Sequence, residues 1–388
     1  MKLAFVSPYY YPAMIGGIEW YLYHVTRRLA GKGHEVHMYT TDSDGRGGRL
    51  PREETAEDVV VHRIPTLLDT SYRLKIWPKL ISRLSRDSFD VVHAFDYAQF
   101  HDLAVALSRR SSSWPAAVSV YDIHSEIPRG ILKSIPLKLF DHLGAGLLLK
   151  EFDGVLVRTP YHYSFTDGLG IPRERVFIAP PGIDEAYFKG NKTEESLKLR
   201  FRYAADDKIL LLYVGRIHPI KGIETLIRSL PLLKKEKLNA HLLVVGPDQV
   251  GYARHLKEIA ELTGVLEEVT FTGFVDEGEK ILLQKAADVA VLPSSFEGFG
   301  QSLIQAMAQG TPVIGTHRGA IPWVLDQGEA GLMFRYGSAA ELAKCISRIM
   351  KDEELRHSIV SRGKERAYKF SYDVLVDELQ EIYAEMSN

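Results

Sequence analysis

The sequence predicts an α/β protein with two doubly wound parallel sheets, one in each half of the chain. Short apolar strands alternate with amphipathic helical segments almost throughout, beginning with LAFVS and IEWYLYHVTRRLAGKG. Apolar strands separated by helices are typical of parallel sheets that are covered by helices on both faces. A polar stretch, GNKTEESLKLRFRYAADD, interrupts this alternation, and a second series of strands follows it. We therefore expect two α/β domains in tandem.

Each half contains a run of predicted strands. In the first half they are LAFVS, EVHMYT, VVVHRI, DVVHAF, AAVSVY, GVLVRT and RVFIAP; in the second they are KILLLYVG, HLLVVGP, VTFTGF, DVAVLPS and TPVIGT. The final segment, SYDVLVDELQEIYAEM, has helical periodicity and no strand after it, so we expect it to pack back on the first domain. The predicted domains are residues 1–185 with the helix at 371–388, and residues 186–370.

Length and composition are those of a globular protein. The 388 residues suffice for two domains, and a formal net charge of -2 gives no general attraction to nucleic acid, so no nucleic-acid partner is expected. No stretch reaches about 18 apolar residues, and the opening apolar run is too short for a signal peptide, so we expect a cytoplasmic protein. Cys345 shares a helical face with Leu342 and Ile346, which indicates a core residue and not a nucleophile.

The segment PSSFEGFG, from Pro293 to Gly300, is the strongest functional signal. It holds one carboxylate, Glu297, between a strand and a helix. In a parallel α/β sheet, ligands bind outside the carboxyl ends of strands, where the N-terminus of the next helix attracts an anion. A carboxylate beside such an anion site suits a hydroxyl-rich group joined to phosphate. We interpret this loop as a nucleotide-sugar site.

A second loop, in YVGRIHPIKGIETLIRSL, carries two cations between a strand and a helix. Arg216 offers a planar fork of donors and Lys221 a compact charge, a combination that suits a diphosphate. Cations that neutralise a departing pyrophosphate would also stabilise the charge that develops during the reaction. The alternative is a surface loop with ordinary ion pairs.

A glycine pair, Gly16-Gly17, precedes the first helix in PYYYPAMIGGIEW. It lacks the spacing of the dinucleotide-binding fingerprint. Two interpretations stay open: a plain turn at a helix start, or a turn whose backbone closes onto the diphosphate.

Together, these segments resemble the retaining nucleotide-sugar glycosyltransferases of the GT-B fold, family 4. The resemblance rests on the Gly-Gly loop, the Gly-Arg-x4-Lys-Gly loop, and the Glu297 region running into AMAQGTPV, and it extends over the whole chain. It implies two Rossmann-like domains facing across a cleft, with the donor held mainly by the second, and neither metal nor cofactor. The sequence agrees, because it has no Asp-x-Asp at a strand end and no His/Cys cluster at ligand spacing.

The resemblance implies a role for each matching residue. Arg216 and Lys221 would hold the diphosphate, Glu297 would bind hydroxyls of the donor sugar, and main chain near Val275 would meet the nucleobase. Backbone N–H groups of a further set would complete the cradle: Phe299, Gly300 and Gln301.

Two positions depart from the family pattern. The second Glu of the motif is Gln305 here, and an amide accepts one hydrogen bond where the family carboxylate accepts both from the ribose, a loss of about 1 kcal/mol. Gln305 is either a tolerated variant or a sign of altered donor preference or lost activity. In the segment YDIHSEIP, Tyr121 stands where relatives often carry His. His124 either supplies the catalytic imidazole or is an ordinary loop residue, and Asp122 is either a participant or a turn residue.

The implied reaction is retaining transfer of a hexose from a UDP- or GDP-sugar to a glycan, lipid-linked or small-molecule acceptor. Two alternatives are kept. An epimerase on the same scaffold would need a cluster of acids and bases around the sugar. A nucleotide-sugar-binding protein without turnover is suggested by Gln305.

Two basic segments of the first half suggest membrane contact. YRLKIWPKLISRLSR carries five cations and no acid, and RGILKSIPLKLFDHLGAGLLLK is apolar with Lys133 and Lys138. Basic amphipathic helices lie on anionic membranes. The hypothesis is peripheral contact at the inner membrane face and a membrane-proximal acceptor; the alternative is two ordinary helices with solvated basic faces.

Overall fold

Two compact α/β units make up the protein. The computed structural model describes residues 1–14, 16–69, 75–97, 99–120, 146–189, 193–204 and 208–387. The first unit is Met1–Gly182 together with Tyr372–Asn388, and the second is Ile183–Ser371. Each contains a largely or wholly parallel sheet, which confirms the predicted fold class.

The first unit is organised around a sheet that has eight strands in the described part of the chain. The strands of this unit are β1 (Lys2–Val6), β2 (Glu35–Thr41), β3 (Glu53–Ala56), β4 (Val59–Ile64), β5 (Leu68–Asp69), β6 (Lys75–Ile76), β7 (Val91–Phe95), β8 (Ala116–Val120), β9 (Gly154–Val157) and β10 (Val176–Ile178). The spatial order of the sheet is β10-β9-β8-β7-β1-β2-β4-β3, and β5 and β6 form a separate antiparallel pair. Within the large sheet, β3 is antiparallel to β4 and the other described neighbours are parallel.

All seven strands predicted for this unit are present. β3 was missed because its sequence, EETA, is polar and lies at the sheet edge, where no face needs to be apolar. The described helices before the second unit are α1 (Gly17–Gly31), α2 (Lys79–Leu84), α3 (Phe100–Arg109), α4 (Gly146–Leu149) and α5 (Tyr163–Gly168).

The second unit contains a sheet of six described strands, all parallel, in the order β13-β12-β11-β14-β15-β16. They are β11 (Ile209–Val214), β12 (Ala240–Val245), β13 (Val269–Gly273), β14 (Val289–Leu292), β15 (Val313–Thr316) and β16 (Leu332–Phe334). The described helices of this unit are α6 (Glu194–Tyr203), α7 (Ile223–Lys235), α8 (Tyr252–Leu262), α9 (Glu277–Ala286), α10 (Gln301–Ala308), α11 (Ile321–Val324), α12 (Ala339–Lys351) and α13 (Glu353–Tyr368). The five strands predicted for this half are all present.

The last helix, α14 (Tyr372–Ser387), belongs to the first unit. Its buried side chains pack on the sheet, and Asp373 accepts a hydrogen bond from Arg28 of α1 at 3.0 Å. At its start, the ring of Tyr372 fills the space beside Gly182, where a Cβ atom would lie 2.4 Å from the ring. The expected return of the final helix to the first domain is confirmed.

A buried histidine joins α14 to the sheet. His93 of β7 is 1% exposed; its Nδ1 lies 2.7 Å from the Tyr383 hydroxyl of α14, and its Nε2 lies 2.8 Å from the Ser119 hydroxyl of β8. Burial lowers the pKa of His93 to about 3. The ring is therefore neutral at neutral pH, with both nitrogens in hydrogen bonds.

The first basic segment uses its apolar side inside the fold. Trp77, Leu80 and Leu84 are fully buried, and Lys75 is buried against Asp69, whereas Lys79 is exposed. That side of α2 is therefore unavailable to a bilayer, which favours the ordinary-helix alternative for this segment. Most of the second basic segment, including Lys133 and Lys138, lies outside the described residues.

Two further expectations concern burial and membrane spans. Cys345 is buried in the core of the second unit, as predicted, and burial raises the pKa of its thiol. Among the described helices, none has the length and apolar character needed to cross a bilayer.

Candidate functional site

Three neighbouring strands of the second unit end in glycine at the carboxyl edge of the sheet. Gly215 follows β11, Gly246 follows β12, and Gly273 ends β13. The strand ends are so close that a Cβ atom at Gly246 would lie 2.0 Å from the carbonyl oxygen of Gly215. Only glycine fits there. This edge is therefore lined by main chain, and a ligand can approach the backbone closely.

The loop after β11 presents Arg216 to solvent. The phenol of Tyr213, whose pKa is raised by burial, donates a hydrogen bond to the Arg216 carbonyl at 2.8 Å and so fixes the backbone there. The guanidinium of Arg216 is exposed and has no ion-pair partner in the part of the chain that the structure describes. It is a free cation at a fixed point on the edge.

Lys221 ends a single 3₁₀ turn, and His218 caps this turn by accepting a hydrogen bond from the N–H of Ile220 at 3.2 Å. Gly222 follows with φ 65° and starts α7. A Cβ atom at Gly222 would lie 2.2 Å from the carbonyl oxygen of Pro293, in the loop that holds Glu297. The glycine is required both for its backbone conformation and for the close approach of the two loops.

The carboxylate of Glu297 meets the second cation directly. Lys221 Nζ lies 2.6 Å from Glu297 Oε2, and the hydroxyl of Ser294 donates to the same oxygen at 3.3 Å. The two charged side chains are only 15% and 18% exposed. A charge-assisted hydrogen bond between partly desolvated groups is strong, so the ammonium and the carboxylate hold each other in place.

Main-chain contacts hold the two loops together. The N–H of Ser295 donates to the Ile220 carbonyl at 2.8 Å, and the N–H of Ala320 donates to the Glu297 carbonyl at 2.9 Å. A Cβ atom at Gly319 would lie 2.3 Å from that same Glu297 oxygen. Gly319 and Ala320 therefore fix the backbone of Glu297. The loops of Lys221 and Glu297 lie on the same side of the sheet, as the sequence predicts.

The helix after Glu297 starts at an uncapped glycine. Gly300 has φ 92° and provides no side-chain cap for α10. Within the described residues, the N–H groups of Gln301 and Ser302 have no acceptor. Phe299 is 4% exposed and packs edge-on against Phe370, so only its main chain is available to a ligand. Unpaired N–H groups at a helix start favour an anion.

Two family descriptions match successive parts of the chain. The one described as glycosyltransferase family 4 matches residues 15–187, and the one described as glycosyl transferases group 1 matches residues 196–366. The match is thus to both halves in the expected order. This chain is a GT-B glycosyltransferase of family 4.

Similar proteins agree with this assignment. An uncharacterized glycosyltransferase of Methanocaldococcus jannaschii is 28% identical, over 99% of this chain and 98% of its own. The N-acetyl-alpha-D-glucosaminyl L-malate synthase of Bacillus anthracis is 26% identical, over 92% and 91%. Among solved structures, the Anabaena protein HepE in complex with UDP-glucose aligns with a TM-score of 0.74 and 18% identity, over 99% of this chain and 100% of its own. At that identity the last likeness speaks for the fold alone.

Gln305, in place of the family's second Glu, lies on α10 five residues after Gly300. Its side chain is 6% exposed and makes no hydrogen bond within the described parts of this glycosyltransferase. Val275 is half-buried beyond the carboxyl end of β13 and packs against the core there. Gln305 therefore lies in the helix that begins at the carboxyl edge of the sheet, and Val275 lies in the segment that follows β13 at the same edge.

In the first unit, the two glycines differ in what their backbones do. The N–H of Gly16 donates to the carboxylate of Glu19 at 2.6 Å, and Glu19 is fully buried. Gly17 begins α1; no atom lies within 4 Å of the position a Cβ would take, and its N–H has no acceptor among the described residues. Of the pair, Gly17 is the one with an open α-carbon and a free donor.

His124, the second predicted catalytic residue of this enzyme, lies outside the described residues, as do Tyr121 and Asp122. The choice between His124 and Tyr121 for the family's histidine position stays a prediction.

The sequence interpretation missed two supporting residues. Ser294 donates to the Glu297 carboxylate, and His218 caps the turn that carries Lys221. A signal existed for His218, because a polar residue directly before proline is typical of a helical N-terminus. Ser294 had none beyond its place in the loop.

Proposed function

We propose that this glycosyltransferase moves a hexose, with retention of anomeric configuration, from a UDP- or GDP-sugar to a glycan, lipid-linked or small-molecule acceptor. The observation that carries the proposal is the contact between Lys221 and Glu297 at 2.6 Å, at a strand edge lined by glycine. A cation for phosphate and a carboxylate for hydroxyls stand side by side there. That is the arrangement a sugar diphosphate needs at the point where its sugar joins its phosphate.

In the proposed complex, Arg216 and Lys221 hold the diphosphate and Glu297 accepts hydrogen bonds from the sugar hydroxyls. Lys221 has three N–H donors, so it can keep Glu297 and still donate to a phosphate oxygen. The N–H groups at the start of α10, from Phe299 to Gln301, receive the remaining phosphate charge, and main chain at Val275 meets the base. The UDP-glucose bound to HepE supports a uridine donor, and GDP stays an alternative.

The ribose is assigned to Gln305. Its amide accepts one hydroxyl and donates to the other, where a carboxylate would accept both. We therefore expect productive but weaker binding of the nucleoside, by about 1 kcal/mol.

The proposed reaction exchanges one bond at the anomeric carbon. The bond to the β-phosphate oxygen breaks, a bond to the acceptor oxygen forms on the same face of the sugar, and the acceptor proton passes to the leaving phosphate. Arg216 and Lys221 stabilise the negative charge that builds up on that phosphate in the transition state. Because two side-chain cations supply this charge, we propose that the reaction is independent of a metal, and activity should withstand EDTA.

The first unit is assigned to the acceptor. Gly17, with its free N–H, is proposed to reach the diphosphate, together with the backbone of Gly16. Either His124 or Tyr121 is proposed to lie at the reacting carbon. For an acceptor at the inner face of the membrane, the exposed cations of α2, Lys79 among them, are the proposed contact. Flotation with anionic vesicles at low salt tests this last point, and no flotation would remove it.

A nucleotide-sugar panel tests the proposal. A ligand that binds only the folded protein raises its melting temperature, so UDP- and GDP-sugars should stabilise the protein more than nucleoside monophosphates do. With the stabilising donor and an acceptor, NMR of the product should show the donor's anomeric configuration. A changed sugar isomer without transfer would indicate an epimerase, binding without any product would indicate a binding protein, and an inverted product would exclude retention.

A further inference from the structure

Three aromatic side chains adjoin one another on the surface of the first unit. Tyr11 is 43% exposed and Trp20 is 52% exposed. Tyr23 contacts both, with its ring centroid 5.3 Å from Tyr11 in a stacked pair and 6.3 Å from Trp20 in an edge contact. We call Tyr11, Tyr23 and Trp20 the aromatic row. Isolated exposed rings are common, but a contiguous exposed group indicates a binding surface.

The Tyr11 and Trp20 ends of the aromatic row lie near the carboxyl edge of this sheet, and Tyr23 extends from there toward the turn before β4. Tyr11 belongs to the loop that follows β1, and Trp20 lies in the first turn of α1, three residues after Gly17. In open α/β sheets, ligands bind outside the carboxyl ends of the strands.

A buried arginine holds the Tyr11 end of the row from beneath. The side chain of Arg63 is fully buried; it donates to the Tyr11 carbonyl at 2.7 Å and pairs with Glu54 at 2.5 Å. The neighbouring Tyr10 is itself buried, and its hydroxyl lies 2.8 Å from that of Thr26 on α1. The backbone of Tyr11 is therefore fixed while its ring stays in water. A surface fixed in advance loses little conformational entropy on binding.

The central ring is fixed as well. The hydroxyl of Tyr23 donates to Glu57 at 2.5 Å, and the Arg27 guanidinium lies 5.4 Å from the ring centroid. Glu57 has φ 47° in the tight turn between β3 and β4, so the hairpin itself delivers this carboxylate to the row. Arg27 and Glu57 also pair at 3.2 Å.

The outer rings keep free polar groups. Within the described residues, neither the Tyr11 hydroxyl nor the indole N–H of Trp20 has a hydrogen-bond partner. Each ring thus offers an apolar face and, at its edge, one donor open to solvent.

We propose that the aromatic row binds a sugar ring of the acceptor, which is therefore a neutral glycan or a glycosylated molecule. A pyranose has an apolar face of C–H groups and an edge of hydroxyls, which match the aromatic faces and the polar edges of the row. This inference rests on the proposed function and names the class of acceptor it uses. Because the row offers more than one ring, it suits an acceptor with more than one sugar.

The charges around the row favour a neutral partner. Arg27 and Glu57 neutralise each other, so the row has no excess of cations for an anionic membrane surface. The clustered cations of this unit lie elsewhere, on and after α2. A bilayer is therefore not the partner that this surface favours.

Binding to an array of neutral oligosaccharides tests the inference, using the full-length protein. Wild type should bind a subset of these glycans, and Trp20→Ala and Tyr11→Ala should each weaken that binding at least tenfold. Tyr11→Phe should retain most of it if the ring face carries the contact. All variants should keep the wild-type affinity for UDP or GDP, since the row is assigned to the acceptor. In transfer assays with a bound glycan, the KM for the glycan should rise and kcat should change little.

Phe201→Ala is the matched control, because Phe201 is an aromatic residue of the second unit that is 58% exposed. It should bind glycans as wild type does. The inference is overturned if wild type binds nucleotide but no glycan, or if the Trp20 and Tyr11 variants bind glycans normally. It is also overturned if flotation with phosphatidylcholine vesicles, instead of glycan binding, depends on Trp20. If wild type binds no nucleotide sugar, the proposed function is excluded; glycan binding that depends on Trp20 and Tyr11 would then still support a sugar site at the aromatic row.

Discussion

The carboxyl edges of the two sheets differ in what they present to a ligand. In the second unit, three adjacent strands end in glycine, Lys221 and Glu297 hold each other, and Arg216 is exposed beside them. In the first unit, β7 is followed by Asp96, a buried residue with φ 71° whose carboxylate accepts a hydrogen bond from Gln99 at 2.6 Å. The edge of the second sheet presents mostly backbone to a ligand, whereas the edge of the first sheet presents side chains.

The difference indicates a division of labour. Backbone N–H groups and charged side chains suit the diphosphate, which is the same in every donor, because they recognise its negative charge and not its shape. Side chains held in particular positions suit a partner of particular shape. The strain of a non-glycine residue at positive φ costs about 1–3 kcal/mol and persists only where the surroundings enforce it. We therefore assign the constant chemistry to the second edge and acceptor choice to the first.

The largest expected effect comes from the carboxylate of the second edge. Glu297→Gln should lower transfer about a thousandfold, comparable to the loss of one oriented group in other active sites. Nucleotide affinity should stay the same or rise, because the change frees Lys221 to bind the diphosphate. Steady-state kinetics and calorimetry with UDP and GDP measure the two effects. Glu353→Gln, on the exposed start of α13, is the control; full transfer by the Glu297 variant would contradict the assignment.

Glycine substitutions test whether the second edge depends on its bare backbone. Gly222→Ala combines a φ of 65° with a Cβ atom 2.2 Å from a carbonyl oxygen, so unfolding free energy should fall by more than about 2 kcal/mol. Gly251→Ala, also at a helix start with φ 73° but with no atom within 4 Å, should lose only about 1 kcal/mol. Urea unfolding compares them.

Gly17, in the first unit, is a glycine whose substitution is expected to leave stability nearly unchanged. Gly17→Ala meets no atom within 4 Å, so stability should change by less than about 0.5 kcal/mol. If this variant unfolds as readily as Gly222→Ala, the contrast between the edges is not one of backbone crowding.

The exposed cation of the second edge should affect binding and not stability. Arg216→Ala should weaken UDP or GDP binding about tenfold or more, as expected for a charged hydrogen bond worth about 1.5–3 kcal/mol. Lys221→Ala should weaken binding and also destabilise the fold, because it leaves the partly buried Glu297 unpaired. Calorimetry and urea unfolding separate the two. Arg228→Ala, an exposed arginine on α7, should change neither, and undiminished affinity in Arg216→Ala would exclude its role.

A pH dependence of stability is expected from two buried histidines of the first unit. Burial lowers the pKa of His93 to about 3 and that of His101 to about 4, below the ordinary value of 6.5. Below pH 6.5 the unfolded chain binds protons that the folded chain refuses, so stability should fall with pH, by at most about 1.4 kcal/mol per pH unit for each histidine. Urea unfolding between pH 7 and pH 5 should show this slope. It should be shallower in His93→Gln and unchanged in His357→Gln, an exposed control; equal slopes in all three would remove the assignment.

The sequence alone predicted most strands of the two sheets, though not the edge strands β3 and β16, and it singled out the loops of Lys221 and Glu297. Strands such as β11 and β12 are apolar runs of local origin, and Glu297 and Lys221 stand in loops whose place relative to the strands is fixed by topology. The direct contact between those two side chains was not predicted. It depends on the approach of the loops at Gly222 and Pro293, which no local pattern reveals.

The aromatic row was beyond sequence reasoning for a similar reason. Trp20 and Tyr23 lie in a helix whose pattern is amphipathic, and nothing local says which ring stays exposed. That is decided by Arg63, which is 52 positions from Tyr11 in the chain, and by the hairpin that places Glu57. Contacts between distant segments set exposure, whereas periodicity sets only the element.

The ring of Tyr372 against Gly182 has a practical consequence for anyone who wishes to divide this enzyme. A gene fragment that stops at residue 182 would encode the large sheet without the helix that closes one of its faces. Such a fragment should be produced as an insoluble polypeptide, and supplying residues 372–387 as a separate peptide, or fusing them by a linker, should rescue it. The second unit, Ile183–Ser371, is one uninterrupted segment and can be encoded by a single gene fragment.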